Sequence, residues 1–278
     1  MDIKKYLSFI KIEHTLFSLP LIYAGVFLAS EKFPSIKLLL LVLLAAIFAR
    51  ISAMTANRII DAEIDRRNPR TKNREIPSGK ISYLKAIVIL LISLTGYFGT
   101  AYLISEFCFY LSPIPIIIFI IYPYMKRFTH FAHFGVGLGL SMGPLGGWFA
   151  VKNSFDGILP GALLSLFTLF WATSFDIIYS TLDEEFDRNY KLNSFPVRFG
   201  KKKALFYSII LHIISYVFLL ILFLSYARNF LSLIFLLAVA VLYFLEHKYA
   251  EKNVELSFFK LNAVVSFVVF LMIIVRGV

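Results

Sequence analysis

The sequence predicts an all-α, polytopic membrane protein: nine transmembrane helices around a central cavity, arranged as two four-helix halves plus one helix. Two observations carry this expectation. Hydrophobic residues make up 59% of the 278 positions and charged residues only 16%, against roughly 25% charged in ordinary soluble domains. With a mean hydropathy of +0.78, a water-soluble fold of this length could not enclose its own apolar surface. Apolar runs of about 17–25 residues, the length that crosses the hydrocarbon core as a helix, also recur along the whole chain. No polar stretch between them is long enough for a soluble domain, so residues 1–278 read as a single transmembrane domain.

Taken in order, the first run, about 14–31, follows Lys4, Lys5 and Lys11 and continues toward Glu31 without a small-x-small cleavage pattern. It therefore reads as a retained helix. The second, about 36–64, is long because its C-terminal end is polar. The third covers about 82–104, and the fourth, about 107–124, is interrupted by Pro113 and Pro115, which predicts a kink and a wider lateral opening. The fifth, about 134–151, carries Gly135, Gly137, Gly139, Gly143, Gly146 and Gly147, a composition that lets helices approach closely. The sixth, about 159–182, ends in acids and feeds a basic loop, as the second does. Spans two to five and six to nine thus read as a topological repeat. Spans seven to nine cover about 204–226, 229–247 and 257–276. Trp148 and Trp171 read as packing or interfacial residues.

The net charge is +11, from 28 Lys and Arg against 17 Asp and Glu. On a soluble protein this balance would raise nucleic-acid binding. Here the excess falls in short loops between apolar runs, where it sets topology, so no nucleic-acid partner is expected. One side keeps only Lys32, Lys37, Lys152, Arg228 and Arg276, which predicts a cytoplasmic N-terminus, an external C-terminus and placement in the cell (inner) membrane. The single cysteine, Cys108, excludes an intrachain disulfide and a Cys-rich metal site.

Two polar clusters carry the chemistry. Asn57, Asp61 and Asp65 stand four apart and share one helical face over about 12 Å. Asp176, Asp183 and Asp187 are seven and four apart, with Tyr179 one turn before Asp183. Carboxylates there are costly: intramembrane charge is disfavoured, like charges at i,i+4 repel, and a helix C-terminus already carries partial negative charge. Divalent cations shared between facing carboxylates resolve the conflict, and all-oxygen ligands favour Mg²⁺, which also leaves coordination positions for phosphate. The loops supply matching cations: Arg66, Arg70 and Arg74 after the first cluster, Lys126 and Arg127 after the fourth span, Lys191 after the second cluster. Acids that hold metal, ringed by Arg and Lys, form a diphosphate site. The competing reading is ordinary acidic helix ends beside positive-inside loops.

These residues resemble the UbiA superfamily of intramembrane prenyltransferases. One signature matches Asn57, Asp61 and Asp65; the loop stretch matches Arg70, Thr71, Arg74, Pro77 and Gly79 with slightly shifted spacing. The second signature matches Asp176, Tyr179, Asp183 and Asp187, and a Tyr-Pro-x-x-Lys-Arg element matches Tyr122, Pro123, Lys126 and Arg127. The resemblance covers nearly the whole chain. It departs at Arg58, where many members carry Asp; this guanidinium either contacts phosphate or pairs with a neighbouring acid.

The resemblance implies Mg²⁺-dependent transfer, with two ions expected, of a polyprenyl chain from an allylic diphosphate such as geranylgeranyl diphosphate. Catalysis would fall to Asp61, Asp65, Asp176, Asp183 and Asp187, and metal ligation to Asn57, Asp61, Asp65, Asp183 and Asp187. Diphosphate binding would fall to Arg66, Arg70, Arg74, Lys126, Arg127, Lys191 and Tyr179. The lipid bilayer would deliver the tail sideways, and the small residues of the fifth span offer a flat wall for an aromatic ring. Arg50 lies seven residues before Asn57, about 10 Å deeper on the same face. It reads either as a clamp for an acceptor carboxylate or as half of a salt bridge with an acid such as Asp176. An Arg at this offset, and the opening Lys11-Ile-Glu13-His14 to Pro20, resemble the 4-hydroxybenzoate and menaquinone-pathway branch, so an aromatic acid is the expected acceptor. His14 reads as a structural hydrogen-bonder before it reads as a base. The alternatives are a geranylgeranylglyceryl phosphate acceptor, as in archaeal ether-lipid synthesis, and an ion-coupled transporter.

Overall fold

The structure, a computed structural model, describes residues 8–9, 15–254 and 256–277. Lys4, Lys5, Lys11, Glu13 and His14 lie outside the described residues. The described residues form helices and connecting turns with no strand among them. In chain order the helices are α1 (Thr15–Ala29), α2 (Ile36–Ile60), α3 (Ala62–Arg67), α4 (Tyr83–Ile104), α5 (Glu106–Leu111), α6 (Pro113–Met125) and α7 (Ala132–Lys152). They continue as α8 (Leu159–Ser180), α9 (Glu184–Asn189), α10 (Phe195–Phe199), α11 (Lys201–Tyr226), α12 (Phe230–Tyr249) and α13 (Asn262–Ile274). A π-helical turn, Leu256–Leu261, leads into α13.

Among the described residues, eight helical segments are long and apolar enough to cross a bilayer, with α5 and α6 counted as one, and α1 adds a shorter apolar helix. Local sequence sets the starts. Ser35, Ser82 and Ser105 accept the backbone N–H of Leu38, Lys85 and Cys108, and Asn229 accepts that of Ser232, satisfying donors that a helix N-terminus leaves orphaned.

Three spans end differently from expectation. The second stops at Ile60, and Asp61 joins it to α3. The sixth stops at Ser180, and Asp183 opens α9. In the fourth, Pro113 does not kink a continuous helix; it begins a new one at the first position, where a missing N–H costs nothing, and Ser112 separates α5 from α6.

Packing runs α4 on α2, α2 on α6, α6 on α7, α7 on α8, α8 on α11, α11 on α12 and α12 on α13. Helix α1 packs on both α7 and α13, so it is the extra helix that joins the two halves. The small residues of α7 make this possible. A Cβ on Gly137 would lie 2.2 Å from Thr173 Oγ1 and 2.4 Å from the Leu169 carbonyl of α8. One on Gly147 would lie 2.2 Å from the Ile22 carbonyl of α1. Helix α8 is the most enclosed span: Phe167, Trp171 and Phe175 pack with Leu219, Leu222 and Met272, and the indole of Trp171 donates to Asn262 Oδ1 at 2.6 Å. Trp148 is likewise buried, so both tryptophans serve packing. At the far end, Arg276 donates to the carbonyls of Phe27, Leu28 and Ser30, closing the C-terminus of α1.

Candidate active site

The C-terminal ends of α2, α6 and α8 meet, and each acidic cluster folds the same way. A long helix ends, an aspartate caps a six-residue helix, and that helix carries the next aspartate at its fourth position: Asp61 then Asp65 in α3, Asp183 then Asp187 in α9. The breaks do not spoil the stacking. Asp61 N–H still reaches Asn57 O at 2.9 Å, Asp65 N–H reaches Asp61 O at 2.8 Å, and Asp187 N–H reaches Asp183 O at 2.8 Å. The local topological repeat read from the sequence is therefore present at the site itself.

The two clusters come together although more than a hundred residues separate them. Asn68 Nδ2 donates to Asp183 Oδ1 at 2.9 Å. Arg70 grips the same carboxylate with both arms of its guanidinium, Nε to Oδ1 at 2.8 Å and Nη2 to Oδ2, and its Nη1 donates to Tyr179 Oη at 2.7 Å. This fork geometry is the strong form of an Arg–carboxylate pair. Tyr179 also stacks on Phe258, with ring centroids 4.1 Å apart. Within the first cluster, Arg74 Nη1 donates to both oxygens of Asp65, at 2.9 and 2.8 Å. Lys126 Nζ lies 2.7 Å from Asp61 Oδ2, which also accepts from Asn57 Nδ2 at 3.2 Å.

Asp61 and Asp65 are each 4% exposed, so these pairings offset charges that water cannot. Outside the spans, burial alone would raise the Asp183 carboxyl, but the hydrogen bonds and charge of Arg70, with Asn68, outweigh it and hold Asp183 below the ordinary range. Asp187 lacks such a fork; burial and then the negative charge of Asp183 push it up to about 6. Two aspartates four residues apart are thus driven in opposite directions, the pattern found where carboxylates have different tasks.

Other expected residues take varied positions. Asp176 accepts from His133 Nδ1 at 2.7 Å, so the partner suggested for Arg50 is engaged by a histidine. His133 Nε2 in turn accepts Phe195 N–H at 3.3 Å, which places the imidazole proton on Nδ1. Arg50 is half-buried in α2. Arg127 donates to the Ile60 carbonyl at 2.7 Å and lies over the Tyr124 ring, serving the end of α2. Arg66 is exposed and pairs with Glu63 at 3.5 Å, away from the acids. Lys191 is exposed, with φ 55° just after α9. Arg58 is buried and pairs with Glu75, its Nη1 3.4 Å from Oε2. Sequence reasoning missed Asn68 and His133. Asn68 carried a usable signal, an Asx-type residue at a loop start whose Oδ1 accepts Arg70 N–H at 2.9 Å; His133 carried none, because its partner is 43 residues away.

Among the described residues, no three carboxylates or imidazoles converge tightly enough to hold a metal ion, because Lys126, Arg74 and Arg70 stand against the acids. The donor set nevertheless fits a hard divalent cation. It consists of oxygens, and Asp61 Oδ1 is buried with no hydrogen-bond partner, an unsatisfied acceptor beside an otherwise paired site.

Known proteins resemble this chain over most of its length. Residues 18–274 match the model of the UbiA prenyltransferase family. A 4-hydroxybenzoate octaprenyltransferase from Vesicomyosocius okutanii is 32% identical over 235 residues, covering 83% of each chain. The enzyme of the same name from Legionella pneumophila (strain Lens) is 30% identical over 188 residues, covering 67% of this chain and 66% of its own. The apo structure of a UbiA homolog from Aeropyrum pernix K1 superposes with a TM-score of 0.88 at 30% identity, over 96% of this chain and 99% of that one. A UbiA homolog from Archaeoglobus fulgidus, solved with GPP and Mg²⁺, shares the fold with a TM-score of 0.71 at 21% identity, over 99% of this chain and 100% of that one. A family match over almost the whole chain, on top of two converging acidic clusters and a bundle of apolar helices, makes this chain an integral membrane prenyltransferase and a member of the UbiA family.

Proposed function

We propose that this protein transfers a polyprenyl chain from an allylic diphosphate to an aromatic acid of the 4-hydroxybenzoate type, at the cytoplasmic end of a single transmembrane domain. The observation that carries the reading is the junction of the two acidic clusters through Asn68 and Arg70, which gathers Asp61, Asp65 and Asp183 with the cations paired to them, Lys126, Arg74 and Arg70. The relatives named 4-hydroxybenzoate octaprenyltransferase support the acceptor class.

Asn57, Asp61 and Asp65 on one side, with Asp183 and Asp187 on the other, would hold Mg²⁺, which supplies charge neutralisation for the departing diphosphate. The chain's own cations do the rest. Arg70, Arg74 and Lys126 rest on carboxylates, and an incoming diphosphate offers them a more highly charged acceptor. Their transfer to phosphate frees the same carboxylates for metal, so substrate binding assembles the site. The allylic C–O bond then breaks with its electron pair leaving on the diphosphate, a ring carbon of the acceptor attacks the allylic cation, and the ring proton passes to the released diphosphate, which restores aromaticity. Preorganised charge at the leaving group is the dominant contribution to such chemistry. Arg50, deeper in α2, would clamp the acceptor carboxylate.

The test is product formation by the purified protein in lipid discs, with geranylgeranyl diphosphate, Mg²⁺ and separate samples of 4-hydroxybenzoate, a dihydroxynaphthoate and geranylgeranylglyceryl phosphate. A prenylated aromatic acid, identified by mass, is the expected product. An ether lipid formed instead would replace the acceptor class, and absence of both metal and diphosphate binding would overturn the reading.

A further inference from the structure

Next to Asn57 lies a buried ion pair to which the proposed transfer assigns no step. Arg58, next to Asn57 on α2, is 3% exposed, and its Nη1 lies 3.4 Å from Oε2 of Glu75, which is 7% exposed. Glu75 belongs to the loop between α3 and α4 and directly follows Arg74, the residue that grips Asp65. The remainder of Glu75 is also tied down. Its Oε1 accepts the Ser8 hydroxyl at 2.8 Å, and its carbonyl accepts Ile81 N–H at 2.9 Å. On either side, Ile76 and Ile81 are buried with Phe9, Ala62 and Ala86 in a small apolar cluster.

A buried charge whose partner is removed is strongly disfavoured, so each member of this pair specifies the position of the other. The pair joins a membrane helix to the loop that delivers two of the three site cations, and it fixes that loop at one register.

We propose that Arg58 and Glu75 form a latch that sets the loop bearing Arg70 and Arg74, which makes both of them positioning residues for diphosphate recognition. The latch rests on the diphosphate reading of the site. Its rival is direct contact between Arg58 and phosphate, and the two differ in what Glu75 does. A latch needs both partners equally, whereas a phosphate ligand would be released by loss of its acid.

The experiment compares wild type with R58Q, E75Q, R58Q/E75Q and the charge-exchanged R58E/E75R, each in lipid discs. It measures inorganic pyrophosphate binding with Mg²⁺ by calorimetry and hydrogen exchange by mass spectrometry. Each single variant is expected to bind pyrophosphate about tenfold or more weakly. The neutral double variant should bind as weakly as either single one and no more weakly, the non-additivity of two residues that act as a unit. Exchange should accelerate in residues 68–81 and not in α9, and the charge-exchanged pair should recover part of the binding. With allylic diphosphate as substrate, KM should rise while kcat at saturation changes less than about twofold. Wild-type binding by E75Q beside weak binding by R58Q would overturn the latch in favour of direct contact, and wild-type binding by both would overturn it outright. Should a single variant fail to fold, R58Q/E75Q leaves no stranded charge; tight binding and slow loop exchange in that protein would refute the latch. If wild type binds no pyrophosphate, the diphosphate reading fails, and unchanged loop exchange in the variants would refute the latch separately.

Discussion

Lys126→Met separates two roles that one amine plays. Lys126 Nζ sits 2.7 Å from Asp61 Oδ2 and must leave before that oxygen can ligate a metal ion. A hydrogen bond with a charged partner contributes about 1.5–3 kcal/mol. The Lys126 side chain is 28% exposed, so solvent screening brings the figure to about 1–2 kcal/mol. Removing the amine removes this competition and leaves Asp61 with Oδ1 unpaired and Oδ2 held only by the Asn57 amide in a buried site. Mg²⁺ alone should then bind more tightly, by about 5–30-fold. Activity should move the other way, because diphosphate loses a cation aimed at the leaving group; removing one such donor costs on the order of a hundredfold in rate. The assay is calorimetric Mg²⁺ titration of wild type and variant in lipid discs, beside initial rates on geranylgeranyl diphosphate. Unchanged or weaker Mg²⁺ binding in the variant would refute the exchange of Lys126 from carboxylate to phosphate.

Further outcomes follow from individual contacts. Arg50→Gln should raise KM for the aromatic acid at least about tenfold, the loss of one bidentate charge pair, while KM for the allylic diphosphate stays unchanged; steady-state kinetics with each substrate varied separately reads this. His133→Phe strips Asp176 of its Nδ1–H donor, so its rate defect should match that of Asp176→Ala, and the double variant should be no slower than either. Gly137→Val forces a side chain against the Leu169 carbonyl of α8 and should destabilise by about 1–3 kcal/mol. A fall in thermal unfolding temperature would show it, with Gly99→Ala, where a Cβ meets nothing within 4 Å, as the neutral control.

The sequence disclosed the membrane-helical class because hydrophobicity over whole spans is a one-dimensional property. It disclosed the two clusters because their members are four residues apart and stay aligned through Asp65 N–H to Asp61 O and Asp187 N–H to Asp183 O. The breaks were not legible: at Asp61 the four-residue bonding continues through Asp61 N–H to Asn57 O, and before Asp183 the chain tightens to three-residue bonds, Thr181 N–H to Ile178 O and Asp183 N–H to Ser180 O, which no residue type in the sequence marks. The proline pair misled because Pro113 occupies the first position of a new helix, a site that sequence alone does not distinguish from a helix interior. Pairings at long range escaped as well. Asn68 with Asp183 and His133 with Asp176 depend on how α2, α7 and α8 are brought together, and nothing in the spacing around either residue encodes that distance. The same holds for Arg58, whose departure from the family pattern was visible but whose partner, Glu75, was not.

The central claim is that both acidic clusters serve one diphosphate. Its most direct test is the yield of diphosphate and of prenylated acid from geranylgeranyl diphosphate, Mg²⁺ and 4-hydroxybenzoate, measured together for wild type, Asp61→Ala and Asp183→Ala in lipid discs. The account predicts equimolar diphosphate and prenylated acid from wild type, and loss of both products in each variant. Continued transfer by Asp183→Ala at the wild-type rate would contradict it, because the second cluster would then stand outside the reaction.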